Sequence, residues 1–116
     1  EGNDKNFVAT GENKAYGDLV ELSYVVPTGK ALYITGFSFY AIASAVANAD
    51  LEQHCLLVLN DTATQAVAIG GNGGGSMVLP RPFKLAAGAT FNPIMAARGN
   101  HNENIGFSCM GYEIDA

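Results

Sequence analysis

The chain has 116 residues and a mass of 12.1 kDa, the size of a single domain that can bury a core without metals or disulfide staples. Hydrophobic residues make up 48% and charged residues 15%, which excludes an intrinsically disordered chain. Six Lys and Arg against eleven Asp and Glu give a net charge of -5, which argues against nucleic acid or an anionic membrane as partner, and no apolar run is long enough to insert into a bilayer.

The N-terminal segment, residues 1–18, differs in composition from the rest. It holds six of the seventeen charged residues and offers Phe7, Val8 and Tyr16 as its apolar anchors. We predict that residues 1–18 form an arm or a loosely packed first strand in front of a β-sandwich domain, residues 19–116.

The segment 19–26 alternates apolar and polar residues, which predicts a half-buried strand. A turn follows at 27–30, where Pro and Gly supply the turn chemistry. Residues 31–43 predict a long second strand. In it Leu32 and Ile34 share a face with Phe37 and Phe39 only if Gly36 forms a bulge.

The middle of the chain predicts a β-hairpin. Residues 53–59 and 64–69 are apolar strands joined by a turn at 60–63. The glycine patch at 70–75 lacks the Lys of a phosphate-binding loop and the spacing of a dinucleotide fingerprint. We therefore expect a flexible or closely packed loop tip there, or a loop that another backbone approaches.

Prolines are predicted to interrupt the strands of the C-terminal half. Residues 76–79 predict a strand that the segment 80–82 ends, because Pro cannot donate to a ladder. Residues 89–97 predict a strand that Pro93 confines to an edge or a bulge. After a polar loop at 98–104, residues 105–114 form the last strand, in which Gly111 is expected to shift the inward positions toward Tyr112 and Ile114.

Seven or eight short strands, and no long stretch with an apolar stripe of helical period, predict an all-β protein with an antiparallel β-sandwich. Counting strands leaves jelly-roll and immunoglobulin-like topologies both open. The immunoglobulin hallmark of a Trp packed on the disulfide is excluded, because the chain has no Trp.

Three segments resemble phrases in small jelly-roll or β-sandwich domains of phage and virus structural proteins. They are Val26-Pro27-Thr28-Gly29-Lys30-Ala31-Leu32-Tyr33-Ile34-Thr35, Leu79-Pro80-Arg81-Pro82-Phe83-Lys84-Leu85-Ala86-Ala87-Gly88-Ala89-Thr90 and Gly111-Tyr112-Glu113. The resemblance covers residues 20–114 and implies a jelly-roll-like module, often trimeric, used for decoration, fibres or attachment. It implies no catalytic residues and no cofactor.

The residues that carry chemistry in other proteins are sparse here. His54 and Cys55 are neighbours that point to opposite faces of a strand, and His101 lies in a loop, so zinc is not expected. Asp50, Glu52 and Asp61 are expected to be solvated, with Ca²⁺ as the alternative, although the usual calcium-loop spacing is absent.

Cysteine pairing and catalysis remain as predictions. Cys55 and Cys109 fall in central strands and either stay free and buried or form a disulfide across the sandwich. No Ser or Cys stands beside a base in a nucleophile motif, so we predict that the protein is not an enzyme.

The low charge favours a surface that is covered by another protein. We predict a self-associating structural module that decorates or extends a larger scaffold such as a virion, located in the virion or outside the cell. Phe37, Phe39, Tyr40 and Phe91 are the candidate interface residues. The alternatives are a secreted filament subunit that adds residues 1–18 to a neighbour's sheet, and a carbohydrate-binding module that uses the five tyrosines, the loop at 98–104 and residues 50–52.

Overall fold

The structure, a computed structural model, describes residues 3–43, 54–60 and 65–116. Those residues form ten β-strands and no helix. The strands are β1 Asn3–Lys14, β2 Leu19–Glu21, β3 Tyr24–Val25, β4 Lys30–Ala43, β5 His54–Asn60, β6 Gln65–Asn72, β7 Gly74–Leu85, β8 Thr90–Phe91, β9 Ile94–Ala97 and β10 Glu103–Asp115.

The strands form an antiparallel sandwich with jelly-roll order. The first sheet runs β1-β10-β4-β7 and the second runs β2-β9-β5-β6. The small sheet β3-β8 continues β2 and β9 past an interruption, so the described residues form eight strands in two four-stranded sheets when each interrupted strand is counted once. Apart from the β5–β6 hairpin, the chain changes sheet at each connection, which is the double Greek key of a jelly roll. The predicted all-β, jelly-roll-like sandwich is confirmed.

Residues 3–14 are the edge strand of the first sheet. Strand β1 pairs with β10 along its length, from Asn3 opposite Glu113 to Lys14 opposite Glu103. Its side chains alternate between half-buried and exposed, and Phe7 and Ala9 pack on the core. The sequence predicted either an arm or a loosely packed first strand for residues 1–18. Residues 3–14 lie in the position of a first strand within their own chain.

Pro93 marks the interruption of the second sheet. The backbone N–H of Leu22 donates to the Pro93 carbonyl at 3.1 Å, and the Asn92 side chain donates to the Leu22 carbonyl at 2.6 Å. These bonds hold the two broken strands together where regular pairing stops. The predicted effect of Pro93 is confirmed, since β8 ends before it and β9 begins after it.

The core lies between the two sheets and takes side chains from both. The first sheet contributes Leu32, Ile34 and Phe37, and the second contributes Met95, with Phe91 from the small sheet. All five are at most 1% exposed. Aromatic rings join the layers, with Phe7 edge-on to Phe91 at a centroid distance of 5.2 Å.

A bulge at Gly36 keeps both halves of β4 facing the core. The pairing with β7 slips between Ile34 and Gly36, and the pairing with β10 slips at the same place. Leu32 and Ile34 are therefore buried before the bulge, and Phe37 and Phe39 after it. The bulge predicted from the sequence is confirmed.

Strand β10, by contrast, keeps a single inward set. Cys109 and Glu113 are buried on the same side as Gly111, while Tyr112 stacks on Tyr33 on the opposite side. The predicted shift toward Tyr112 and Ile114 is wrong, because the extra residue of the bulge lies in β4 and β10 continues its alternation unbroken.

Two further expectations need correction. Strand β7 continues through Pro80 and Pro82, which fall in the stretch between Val78 and Phe83 that pairs with no residue of β4. The glycine patch is mostly strand, with Gly73 at the turn between β6 and β7. An added Cβ at Gly74 would lie 2.6 Å from the Phe39 carbonyl oxygen, so this position requires glycine for a close backbone approach.

Gly111 lies against the backbone of β4, where an added Cβ would collide with the Tyr33 carbonyl oxygen. Replacing Gly111 with Ala should lower the free energy of unfolding by about 3 kcal/mol, because two backbones would have to separate. Gly17→Ala is the control, since its Cβ meets nothing and only its positive φ of 90° opposes the substitution, at about 1 kcal/mol. Urea unfolding measures both, and equal losses would contradict the assigned packing.

Candidate interaction surface

The outer face of the first sheet carries three cross-strand rows without a charged residue. Its side chains alternate with the buried ones of β1, β10, β4 and β7 and therefore point away from the core. We call these rows the neutral patch. Across the four strands they are Thr10-Gly106-Tyr40-Gly74, Val8-Ser108-Ser38-Ser76 and Asn6-Met110-Gly36-Val78.

The neutral patch exposes apolar side chains around small hydroxyl residues. Val8 is 54% exposed, Val78 83% and Met110 42%, and Ile42 lies just beyond the first row. Between them, the Ser108 hydroxyl donates to the Asn6 side-chain oxygen at 2.6 Å. Such a surface can be covered at small cost, because no charge has to leave water.

Tyr40 is the aromatic residue of the neutral patch. Its ring lies on Gly106, directly across the ladder, where an added Cβ would be 2.6 Å from the ring. An aromatic ring over a cross-strand glycine covers exposed backbone, so the pair stabilises the sheet. The ring nevertheless remains 39% exposed.

A shallow groove of about 370 Å³ lies against this residue, and Tyr40 lines one side of it. Val8 and Thr10 line it from β1, and Ser38 and Ser108 line it from the two central strands. The patch therefore contains both an exposed aromatic ring and a depression on the same face.

The predicted interface residues do not lie together on this surface. Phe37, Phe39 and Phe91 are at most 6% exposed, and their side chains pack in the core of a single chain instead of between subunits. The prediction is corrected for these three residues, because their strand positions face the other sheet. Tyr40 is the member of the predicted set that reaches the surface. Val8, Val78 and Met110 were not among the interface residues predicted from the sequence. Strict alternation from the inward positions Phe37 and Phe39 would have placed Ser38 and Tyr40 on the outer face.

A buried carboxylate lies at the opposite end of β10. Glu113 is 5% exposed and accepts a hydrogen bond from the Tyr24 hydroxyl at 2.5 Å, and the Lys5 ammonium lies 5.7 Å from the centroid of the Tyr24 ring. Burial, followed by the bond to Glu113 and its negative charge, raises the pKa of Tyr24 to about 12. This contact ties the small sheet to the first sheet and satisfies a carboxylate that would otherwise be costly to bury.

Cys109 is a free thiol in the core. Burial raises the pKa of the Cys109 thiol to about 12, which leaves it protonated and unreactive. Cys55 lies on β5 in the second sheet, and its side chain is outside the described residues, so a pairing under oxidising conditions stays a prediction.

The remaining candidate residues are acidic, histidine and tyrosine side chains. Asp50, Glu52 and Asp61 lie outside the described residues, as does the side chain of His54, and His101 is exposed in the loop between β9 and β10. Within the described ranges no group of three His, Cys, Asp or Glu side chains is placed to hold a metal ion. The tyrosines are divided between separate parts of the surface, with Tyr33 and Tyr112 as a stacked pair. Within the described part of the chain no helix is long and apolar enough to cross a membrane.

No protein-family model matches this chain, and no curated protein sequence matches it. Solved structures that resemble it include dimeric latent PorU from Porphyromonas gingivalis, with a TM-score of 0.50, 11% identity and 98% of this chain covered. This chain corresponds to 13% of the PorU chain. The likeness shows a shared fold.

Two other structures resemble the chain more distantly. One is the extra small virus of the giant freshwater prawn Macrobrachium rosenbergii, in a virus-like particle, with a TM-score of 0.44, 14% identity, and coverage of 97% of this chain and 79% of that chain. The other is FLHE, with a TM-score of 0.39, 10% identity, and coverage of 98% and 99%.

Replacing Tyr24 with Phe removes the hydrogen bond to a buried carboxylate, so the free energy of unfolding near neutral pH should fall by about 1–3 kcal/mol. Folding raises the pKa of Tyr24 from 10.0 to about 12, so its contribution is complete below pH 10 and is lost as the pH rises toward 12. The stability gap between wild type and Tyr24→Phe should therefore close across that range in urea titrations. The control, exposed Tyr16→Phe, should show no such closing, and a constant gap for Tyr24→Phe would refute the assignment.

In a Cys55→Ser variant, Cys109 should react with a disulfide-exchange reagent only when the molecule unfolds, because its thiol is buried and protonated. Reaction at pH 8 should therefore be slow without denaturant and should accelerate along the unfolding transition. Rapid labelling of the folded variant would contradict the burial of Cys109.

Proposed function

We propose that the chain is a non-enzymatic structural module that associates with copies of itself through the neutral patch and decorates or extends a larger scaffold such as a virion. The observation that carries this proposal is the composition of that patch. A protein with a net charge of -5 repels its own copies, and three uncharged rows provide a face on which two copies meet without like-charge contacts.

The patch is also complementary to itself. A two-fold contact uses the same surface on both partners, so that surface must hold both a projection and a recess. The Tyr40 ring and the groove between Val8 and Ser38 are such a pair. In the contact that we propose, each Tyr40 enters the groove of the other copy, which yields a dimer as the basic unit where the sequence resemblance implied a trimer.

The size of the patch sets the expected strength of association. With strands about 4.8 Å apart and residues about 3.4 Å apart along a strand, three rows over four strands measure about 14 by 14 Å. A stable interface buries about 800 Å² on each partner, so an isolated pair should associate weakly. Many copies held on one scaffold gain effective concentration, which is why we propose a role on a larger particle.

The filament alternative has less support. Strand β1 already occupies the ladder position beside β10 of its own chain, from Asn3 to Lys14. Adding this strand to a neighbour would first require those hydrogen bonds to break.

Sedimentation equilibrium over a concentration series tests the proposal. The wild-type mass should rise above 12.1 kDa with concentration. Ser38→Glu places a charge in the centre of the patch and should hold the protein at the monomer mass, because two carboxylates would be buried face to face. Thr28→Glu adds the same charge in an exposed turn and should associate nearly as well as wild type. A wild-type protein that stays monomeric at the highest concentration would sink the proposal.

A further inference from the structure

A second recess lies at the far end of the first sheet, beyond the bulge at Gly36. It has a volume of about 340 Å³, near the lower end of the range for small-molecule sites. The residues that line it are Lys30, Ala31, Tyr33, Lys84, Ala86, Ala87, Ile114, Asp115 and Ala116. None of its side chains belongs to the neutral patch.

Two of the six cationic side chains of this acidic protein line the recess. The Lys30 ammonium is paired with the Asp115 carboxylate at 2.5 Å. The Lys84 ammonium lies 5.7 Å from the centroid of the Tyr33 ring. In the described part of the chain no carboxylate lies within 4.0 Å of Lys84, so its charge has no acidic partner there.

Small apolar residues and one aromatic ring line the recess beside its charged groups. Ala31, Ala86 and Ala87 leave the space open because their side chains are small. The Tyr33 ring is backed by Tyr112, with centroids 5.2 Å apart and planes 16° from parallel, so its orientation is fixed from behind. One face of Tyr33 is thus held by Tyr112, and the other is covered by the movable Lys84 side chain.

We infer that this recess binds a small carboxylate whose body has one flat, apolar face, as an aromatic acid or a hexuronate sugar has. The ligand's carboxylate binds the Lys84 ammonium and draws it away from the Tyr33 ring. The flat face of the ligand then packs on the face of Tyr33 that Lys84 had covered. The exchange is favourable because a charge-assisted hydrogen bond is stronger than an exposed cation–π contact. This site is independent of the self-association proposed above.

Backbone amide NMR with four probes tests the inference. Benzoate and glucuronate carry both the carboxylate and the flat face, acetate carries only the carboxylate, and glucose carries only the ring. We expect benzoate or glucuronate to shift the Ala86 and Ala87 amides with saturation, and acetate and glucose to bind at least tenfold more weakly, about 1.4 kcal/mol. The better of the two ring acids identifies the source of the ligand.

Variants separate this site from general anion binding. Lys84→Gln should weaken binding about tenfold, because the charge-assisted bond is lost. Lys14→Gln removes the same charge from the opposite end of the first sheet, where Lys14 pairs with Glu103 in the ladder. This control variant should leave binding unchanged. Ala87→Leu keeps both lysines but fills the recess and should abolish binding, with thermal unfolding confirming that each variant is folded. Absence of binding by both ring acids, acetate binding as tight as theirs, or equal effects of Lys84→Gln and Lys14→Gln would each overturn the inference.

Discussion

The position of β10 between β1 and β4 is the constraint on which the rest of the structure depends. Strand β10 has to pair with β1 on one side and with β4 on the other. The first sheet is therefore complete only when β1 and β10, which are far apart in sequence, are both in place. The approach of Gly111 to the Tyr33 backbone allows this central pairing to continue past the bulge. Such contacts are distant in sequence, so the chain orders much of its backbone before they form.

The few charges of this chain are distributed unevenly over the first sheet. The Lys30–Asp115 ion pair and Lys84 lie at one end, and Lys14 lies at the other, at the ladder position opposite the buried Glu103. The three rows between them carry none. A low overall charge therefore does not mean a uniformly bland surface, because the polar ends can keep the protein in solution while the middle of the face remains free for contact.

Much of the fold was predictable because alternation and turn chemistry act locally. The bulge at Gly36 followed from the need to keep Leu32 and Phe37 on one side, and the interruption at Pro93 followed from its missing backbone N–H. The candidate interface was harder to predict. A sequence shows that Phe37 and Phe39 share a face, but only the second sheet decides that this face is the core and that Tyr40 is outside.

The wrong predictions at the glycines also arise because contacts with distant parts of the chain decide the structure there. Gly74 and Gly111 are required by backbones that approach from elsewhere in the chain, and no local pattern reveals which partner will come close. The run at 70–75 looked like a loop because its composition is that of one, whereas Gly74 is held against β4 by sheet pairing. Glycine is needed at these two positions because backbones pack closely there, and not because the chain has to be flexible.

The two faces of the central strands impose opposite demands on neighbouring residues. On β10, Phe107 and Cys109 fill the core, while the alternate positions Gly106 and Ser108 are the small residues of the outer face, where the Tyr40 ring lies on Gly106. A larger residue at 106 would lift the Tyr40 ring from the sheet and change the relief of the neutral patch without touching the core. The shape of that patch is therefore set by small residues in the central strand as much as by its exposed apolar ones, and that shape, more than hydrophobicity alone, determines whether a second copy fits.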